Sequence, residues 1–396
     1  MAQLGDAAEL ESPTYASFGA AIEAVFALAK SQRYVFVIDE YPYLARADAS
    51  VSSVLQHAID NHKDSSQLML ILCGSSMSFM FEQVLGYESP LYGRRTAQLK
   101  VEPFDFAQTR AFYPSLSPAK SLEVYALTGG IPLYLEKVDP SLSIEKNLAH
   151  NFLDPSCYLF EEPGNLLKQE LREPRQYNNV LQSIANGASK LNEIATASQM
   201  PTSNCTFLLD NLQELGIVSK ELPFGESSRR KGIYRISDTF FRFWFRYVPR
   251  YMALSQTGKQ DIAAGLVAKR LPEFVGPVFE DVCLQWLWMR NGNDLPVLML
   301  EAGRWWGSNP KTKQQEEIDI VATGEPKGAG LACECKWTKE KVGASALDKL
   351  AERADLLPIE KPTLFVFSRS GFTDECHAAA DTQPEVRLIE FDEMGW

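Results

Sequence analysis

The stretch Glu316 to Trp337, EEIDIVATGEPKGAGLACECKW, decides how the C-terminal part of the chain is read. Two runs, Glu317-Ile318-Asp319-Ile320-Val321 and Leu331-Ala332-Cys333-Glu334-Cys335-Lys336-Trp337, flank the Gly- and Pro-rich segment Gly324 to Gly330, which is the pattern of two strands joined as a hairpin. A hairpin centred near Pro326 and Lys327 sets Asp319 opposite Glu334 and Glu317 opposite Lys336. Side chains alternate along a strand, so Glu334 and Lys336 share one face while Cys333 and Cys335 share the other. Two carboxylates are thereby brought together with a lysine beside them. Carboxylate pairs hold Mg²⁺ or Mn²⁺, and a neighbouring lysine stabilises charge on a phosphate or orients a water. The competing reading is a surface strand of alternating charges in which Lys336 simply pairs with Glu317.

The surroundings extend the pattern. Pro277 to Leu287 reads as a helix carrying Glu280 ahead of the hairpin, and Ser345 to Leu357 and Thr363 to Ser368 read as a helix and a strand after it. An Asp, then Glu-x-Lys on a hairpin, preceded by a helix with a glutamate, resembles the PD-(D/E)xK nuclease superfamily. The resemblance implies an α/β restriction-endonuclease-like domain over residues 276–396. It also implies Glu280, Asp319, Glu334 and Lys336 as catalytic residues, with Asp319 and Glu334 as metal ligands.

Composition bounds the rest. The 396 residues, 45% of them hydrophobic, suit two or three packed domains. No run of about 18 apolar residues and no charged-then-apolar leader at Met1 occurs, so a soluble, cytoplasmic protein without membrane contact is expected. Seven cysteines include no C-x-x-C pair and only four histidines are present, which supports neither a zinc site nor a disulfide framework. Cys333 and Cys335 are expected in the core. The net charge of −12 argues against indiscriminate nucleic-acid binding but leaves room for a local basic face.

From the N-terminus, residues 1–15 are polar and expected to fray, and Ser17 to Lys30 reads as an amphipathic helix. Arg33 to Ile38 is an unalternated apolar run closed by Asp39 and Glu40, the mark of a parallel strand buried on both faces with acids at its carboxyl end, where ligands bind in open α/β sheets. A helix, Val51 to Asn61, and a second such strand ending at Gly74-Ser75-Ser76 follow. Next come Pro90-Leu91-Tyr92-Gly93-Arg94-Arg95, an apolar-alternating strand to Pro103-Phe104, and Gly129-Gly130-Ile131-Pro132. Together these segments resemble the archaeal-type, AAA-like P-loop ATPases. The resemblance implies a Walker B element in which Asp39 assists Mg²⁺ and Glu40 polarises water, a γ-phosphate sensor at Ser75 or Ser76, a charge-neutralising arginine at Arg94 rather than Arg95, and a lid beginning near residue 129. No G-x-x-x-x-G-K-S/T occurs, and the sequence begins one helix before the Walker B strand. ATP is therefore expected as a cofactor only if a phosphate loop is supplied from elsewhere.

Residues 172–250 read as three helices, Tyr177 to Asn186, Lys190 to Ser198 and Ser203 to Leu215, followed by two short strands around a polar tip, which is the order of a winged helix. The block carries 11 Lys plus Arg against 7 Asp plus Glu, a balance of +4 within an acidic chain. Its tip, Arg229-Arg230-Lys231, is where phosphates would be met. Against DNA contact, the third helix carries Asp210 and Glu214 and no basic residue. Asp238 to Val248 packs six aromatics into eleven residues and resembles the linker of archaeal-type ATPases that carry a nuclease-like domain. The expected fold is thus α/β: a partial P-loop ATPase parallel sheet with the start of a helical lid (1–150), the rest of the lid and a winged helix (151–250), a helical connector (251–275), and the nuclease-like, DUF234-type domain. The leading function is DNA binding with metal-dependent cleavage, ATP hydrolysis being lost in this chain. Expected partners are DNA, a second copy of the chain, or a protein supplying the phosphate loop. The alternative is a non-catalytic ATP-binding or interaction protein of a defence or toxin-like system, with the nuclease fold as a recognition platform.

Overall fold

The computed structural model describes residues 14–396 apart from 76, 81–83, 85, 172 and 229–230. The expectations for residues 1–13, for Ser76 and for Arg229 and Arg230 therefore lie outside the described residues. The chain divides into two compact units: Met1–Val101 with Gln169–Arg172, and Glu102–Lys168 with Glu173–Trp396.

In the first unit, β1 (Tyr34–Ile38) and β2 (Leu68–Leu72) pair in parallel, Tyr34 opposite Leu68 and Ile38 opposite Leu72. The helices Phe18–Leu28 and Val51–His62 cover one face through Ile22, Phe26, Val51 and Leu55. Among the described residues the other face has no covering layer. Val35 is 54% exposed, Val37 49% and Met69 46%, which corrects the expectation of a strand buried on both sides. An apolar run states that a strand prefers cover, and it takes a layer on each side to provide it. A second correction concerns residues 96–104, expected as a strand: they form none, and Leu99 and Val101 stand exposed, because the alternation there meets no partner strand among the described residues.

In the second unit, the helices Pro174–Ala185, Leu191–Ala197 and Thr202–Glu214 pack on one another and on the antiparallel ribbon β3 (Val218–Glu221) and β4 (Ile233–Ile236). The aromatic run forms the helix Thr239–Gln256, capped by Asp238 on the Phe241 amide, and Phe240, Phe241, Phe243, Phe245 and Tyr247 are all buried. Gly130 belongs to a close backbone approach: its φ is +74°, its carbonyl accepts from the Phe104 amide at 2.9 Å, and a Cβ there would stand 2.0 Å from the Phe104 carbonyl oxygen.

The C-terminal sheet runs β5 (Leu298–Ser308), β6 (Gln315–Glu325), β7 (Ala329–Lys336), β8 (Lys361–Ser368) and β9 (Val386–Glu390) in spatial as in chain order; the first three are antiparallel and the last two continue in parallel. The helix Leu271–Arg290 crosses β6 and β7, and Ser345–Ala354 packs against β6, β7 and β8. Ile318, Val321, Ala332, Leu350, Val366 and Cys376 centre one core. No helix among the described residues is long and apolar enough to cross a membrane.

Candidate functional site

The hairpin pairs Ile320 with Cys333 and Val321 with Ala332, and extending that register by one pair sets Asp319 beside Glu334. The strands are longer than their expected runs and the connection shrinks to Pro326–Gly328, but the pairing frame is the one the alternation implied. At this pair the backbone ladder stops. The Cys335 amide donates instead to Oδ2 of Asp319 at 2.7 Å, so a carboxylate takes the place of a strand carbonyl.

Glu334 is 6% exposed and carries a cation on each oxygen. Lys336 Nζ donates to Oε1, and Nη1 of Arg353, on the helix Ser345–Ala354, donates to Oε2 at 3.3 Å. Arg353 Nε also donates to Glu316 at 3.0 Å. The cross-strand pair of Lys336 with Glu317 is not formed among the described contacts; Glu317 meets Arg304 Nη1 at 3.6 Å. Glu280, on the helix Leu271–Arg290, accepts from Arg304 Nη2. One residue on, Asp281 is bound by Arg235 of β4, which also reaches Glu221 of β3 at 3.4 Å, and Arg242 Nη2 lies 3.6 Å from Asp281.

The electrostatics follow from these contacts. Burial, reinforced by the like charges of Glu280 and Glu334, pushes Asp319 up to about 8, with the Cys335 amide and Lys336 pulling the other way. Burial raises Glu280 as well, against the opposing pull of Arg304. For Lys336 burial works against the charge, but the bond to Glu334 prevails and holds the ammonium above its ordinary value. The donor set is all oxygen and hard, and Oδ1 of Asp319 accepts no hydrogen bond among the described residues. No group of three His, Cys, Asp or Glu side chains is arranged to hold an ion among them either. Two carboxylates whose remaining positions are left to water and phosphate match the way Mg²⁺ is usually bound; Asp319 offers a free oxygen, whereas Glu334, engaged by Lys336 and Arg353, and Glu280, engaged by Arg304, would each have to give up a cation to reach such an ion.

Two contributors could not be read from the sequence. Arg304 faces a bulge of β6: Gly303 pairs with Val321 and Trp305 with Ile318, so Asp319 and Ile320 together oppose Arg304, and such a bulge changes how the side chains around it are aimed. Arg353 lies in an amphipathic helix whose angular position only the fold sets. The thiols of Cys283 and Cys335 also interact beneath the acids, both pushed up by burial.

In the first unit the strand ends bring Asp39, Glu40 and Ser75 together. The Glu40 amide donates to Asp39 Oδ1 at 3.0 Å, and Ser75 Oγ donates to Glu40 Oε1 at 3.2 Å. Glu40 has φ +48° and turns the chain into the helix Tyr41–Ala47, while the Tyr41 amide donates to the Cys73 carbonyl at 2.9 Å. Arg94 is elsewhere engaged: Nε and Nη2 fork onto Asp60 at 2.9 and 2.7 Å, and Nη1 reaches the carbonyls of Pro90 and Tyr92. No described contact joins it to Asp39 or Glu40. At the ribbon tip Lys231 pairs with Glu226 at 2.6 Å. The ribbon is also tied to the sheet, the Phe224 amide donating to the Arg304 carbonyl at 2.8 Å.

Two family models match the chain. One, described as an ATPase domain predominantly from Archaea, covers residues 6–138 and so includes Asp39, Glu40, Ser75 and Arg94. The other, DUF234, described as archaea bacterial proteins of unknown function, covers residues 244–347 and includes Glu280, Asp319, Glu334 and Lys336. An uncharacterized protein of Methanocaldococcus jannaschii is 35% identical over 317 residues, which span 80% of this chain and 70% of that protein. No solved structure matches.

Proposed function

As the chain belongs to the family of archaeal-type ATPases that carry a DUF234 domain, we propose that its C-terminal sheet is a metal-dependent nuclease of the PD-(D/E)xK kind, acting on nucleic acid bound by a unit that includes a winged helix. The observation that carries this reading is the meeting of Asp319 and Glu334 where the β6–β7 ladder ends, with Lys336 bonded to Glu334. Asp319 and Glu334 would hold Mg²⁺ or Mn²⁺, which supplies Lewis-acid polarisation of a phosphate and a more acidic water. Arg353 fixes Glu334 from the helix behind it, and Lys336 places a positive charge at the mouth of the site. Lys336 would then stabilise negative charge developing on the phosphate oxygens or orient the attacking water.

The test is cleavage of single- and double-stranded DNA and of RNA in Mg²⁺ or Mn²⁺. Asp319→Ala and Glu334→Ala are expected to lose on the order of a hundred-fold or more in rate. Lys336→Ala should lose a comparable factor in rate while keeping its affinity for the ion, because its role lies toward the phosphate. Equal rates in all four proteins would show that the activity resides elsewhere.

For the first unit the reading is part of a nucleotide site. Glu40 and Ser75 lie at the strand ends, but the sequence holds no G-x-x-x-x-G-K-S/T, the loop that provides most phosphate affinity. Calorimetry with ATP and Mg²⁺ is expected to show no micromolar binding unless a partner or a second copy supplies that loop; micromolar binding by the chain alone would contradict this.

One observation favours the non-catalytic alternative. Glu334 and Glu280 are paired with Lys336, Arg353 and Arg304, as a platform that merely keeps its carboxylates neutralised would require. Wild-type protein that binds no divalent ion and cuts neither DNA nor RNA would select it.

A further inference from the structure

Between the ribbon and the edge of the C-terminal sheet lies an open cleft of about 260 Å³. Its walls are Lys190, Ile233, Arg304, Trp306, Gln315 and Glu317 among others. Resting on the nucleic-acid reading above, we propose that this cleft is a subsite for one unstacked nucleotide flanking the scissile phosphate, with a preference for guanine.

The argument starts from β5. Trp305 points to the core, packed against the cluster around Ile318, so Trp306 faces the other way and is only partly covered. The register sets Trp306 directly opposite Glu317 and Ser308 opposite Gln315, which gives a half-exposed indole with a carboxylate and an amide ranged beside it. An indole face takes any base by stacking. The neighbours then discriminate. Glu317, with its side chain 55% exposed, is held among the described residues by the 3.6 Å contact to Arg304 and retains acceptor capacity. Guanine presents two adjacent N–H donors on its pairing edge and suits a carboxylate, whereas thymine presents carbonyl acceptors that a carboxylate repels. Exposed Lys190, on the opposite wall, supplies a cation for the backbone phosphate. The cleft also adjoins the proposed reaction centre through two short chains of contacts, Glu316–Arg353–Glu334 and Glu317–Arg304–Glu280. An occupant there would lie within a nucleotide or so of the carboxylate pair.

The experiment uses the full chain in EDTA, so that binding is read without cleavage, and two labelled probes: an all-thymidine single strand and the same strand with one guanine. Wild-type protein is expected to bind the guanine strand about ten-fold more tightly. Trp306→Ala should lose about ten-fold on that strand, Trp306→Phe should retain most of the affinity because a ring still stacks, and Glu317→Gln should erase the preference for guanine. Should Trp306→Ala fail to fold, Trp306→Phe and Glu317→Gln carry the test. Equal binding of both strands by wild type, an affinity unchanged in Trp306→Ala, or no binding at all overturns the subsite. Cleavage by the wild type in Mn²⁺ separates the two readings. A chain that binds guanine through Trp306 but cuts nothing in Mn²⁺ keeps the subsite and loses the nuclease, and one that cuts with Trp306→Ala unaltered in both binding and KM does the reverse.

Discussion

In metal-free buffer at pH 8, Asp319→Asn should be more stable than the wild type, and the margin should shrink to nothing as the pH falls towards 4. The side chain sits at about 8 in the folded chain, raised by burial and by the carboxylates of Glu280 and Glu334, against roughly 3.9 when unfolded. Across that window the folded state holds a proton that the unfolded state has shed, so each rise in pH favours unfolding, by about 1.4 kcal/mol per unit for a full proton's difference. Below about pH 4 both states are protonated and the penalty is absent. Asparagine can still accept the Cys335 amide and carries no charge, so the variant escapes the slope; over the roughly four units of the window the difference at pH 8 should be on the order of 5 kcal/mol. Burial raises Glu280 in both proteins, so that part of the slope is common to them. Thermal melts with EDTA from pH 4 to 8.5 read the effect. A variant less stable than wild type at pH 8, or a gap independent of pH, would show that Asp319 is not the strained carboxylate described.

Arg235→Ala should destabilise the second unit. The guanidinium, with its side chain 18% exposed, joins Asp281 of the helix Leu271–Arg290 to Glu221 of the ribbon, and its folded-state charge is held by those acids against the cost of burial. Removing it leaves Asp281, among the described contacts, with the 3.6 Å approach of Arg242 and a poorly compensated charge next to Glu280. Breaking a fully buried pair on one side costs about 3–5 kcal/mol; with the Asp281 side chain 39% exposed the loss should be on the order of 2 kcal/mol, and the melting temperature should fall by on the order of 5 °C. Arg235→Met with Asp281→Leu, which removes both charges, should recover most of that loss. A single substitution that leaves the melting temperature within about 2 °C would mean that the pair contributes no more than a surface ion pair.

What the sequence could and could not convey follows from the range of the interactions. The β6–β7 frame was readable because a Pro- and Gly-rich connection and a two-residue period are local, and together they fix which carboxylate faces which. The same held for Glu40 and Ser75, since parallel strands that end level set their last residues side by side. Arg304 and Arg353 were not readable, one being aimed by a bulge and the other by helix packing, and neither leaves a periodic signal. Arg94 was visible as an arginine in a turn, but its partner Asp60 lies 34 positions away. Lys336 was correctly placed beside the acids, yet the sequence could not say that it would choose Glu334 on its own strand over Glu317 on the next; the choice reflects the burial of Glu334 and the engagement of Glu317 with Arg304. The open face of β1 and β2 marks the opposite limit: apolar residues announce a need for cover without showing that the cover is there.

The central claim, that Asp319 and Glu334 form a divalent-cation site, is tested most directly by titrating Mn²⁺ into the metal-free full chain and into Asp319→Ala and Glu334→Ala by calorimetry. The expected result is saturable binding of one ion by the wild type, lost in both variants while each retains the wild-type fold by circular dichroism. No binding by the wild type, or binding that persists unchanged in the two variants, would contradict it.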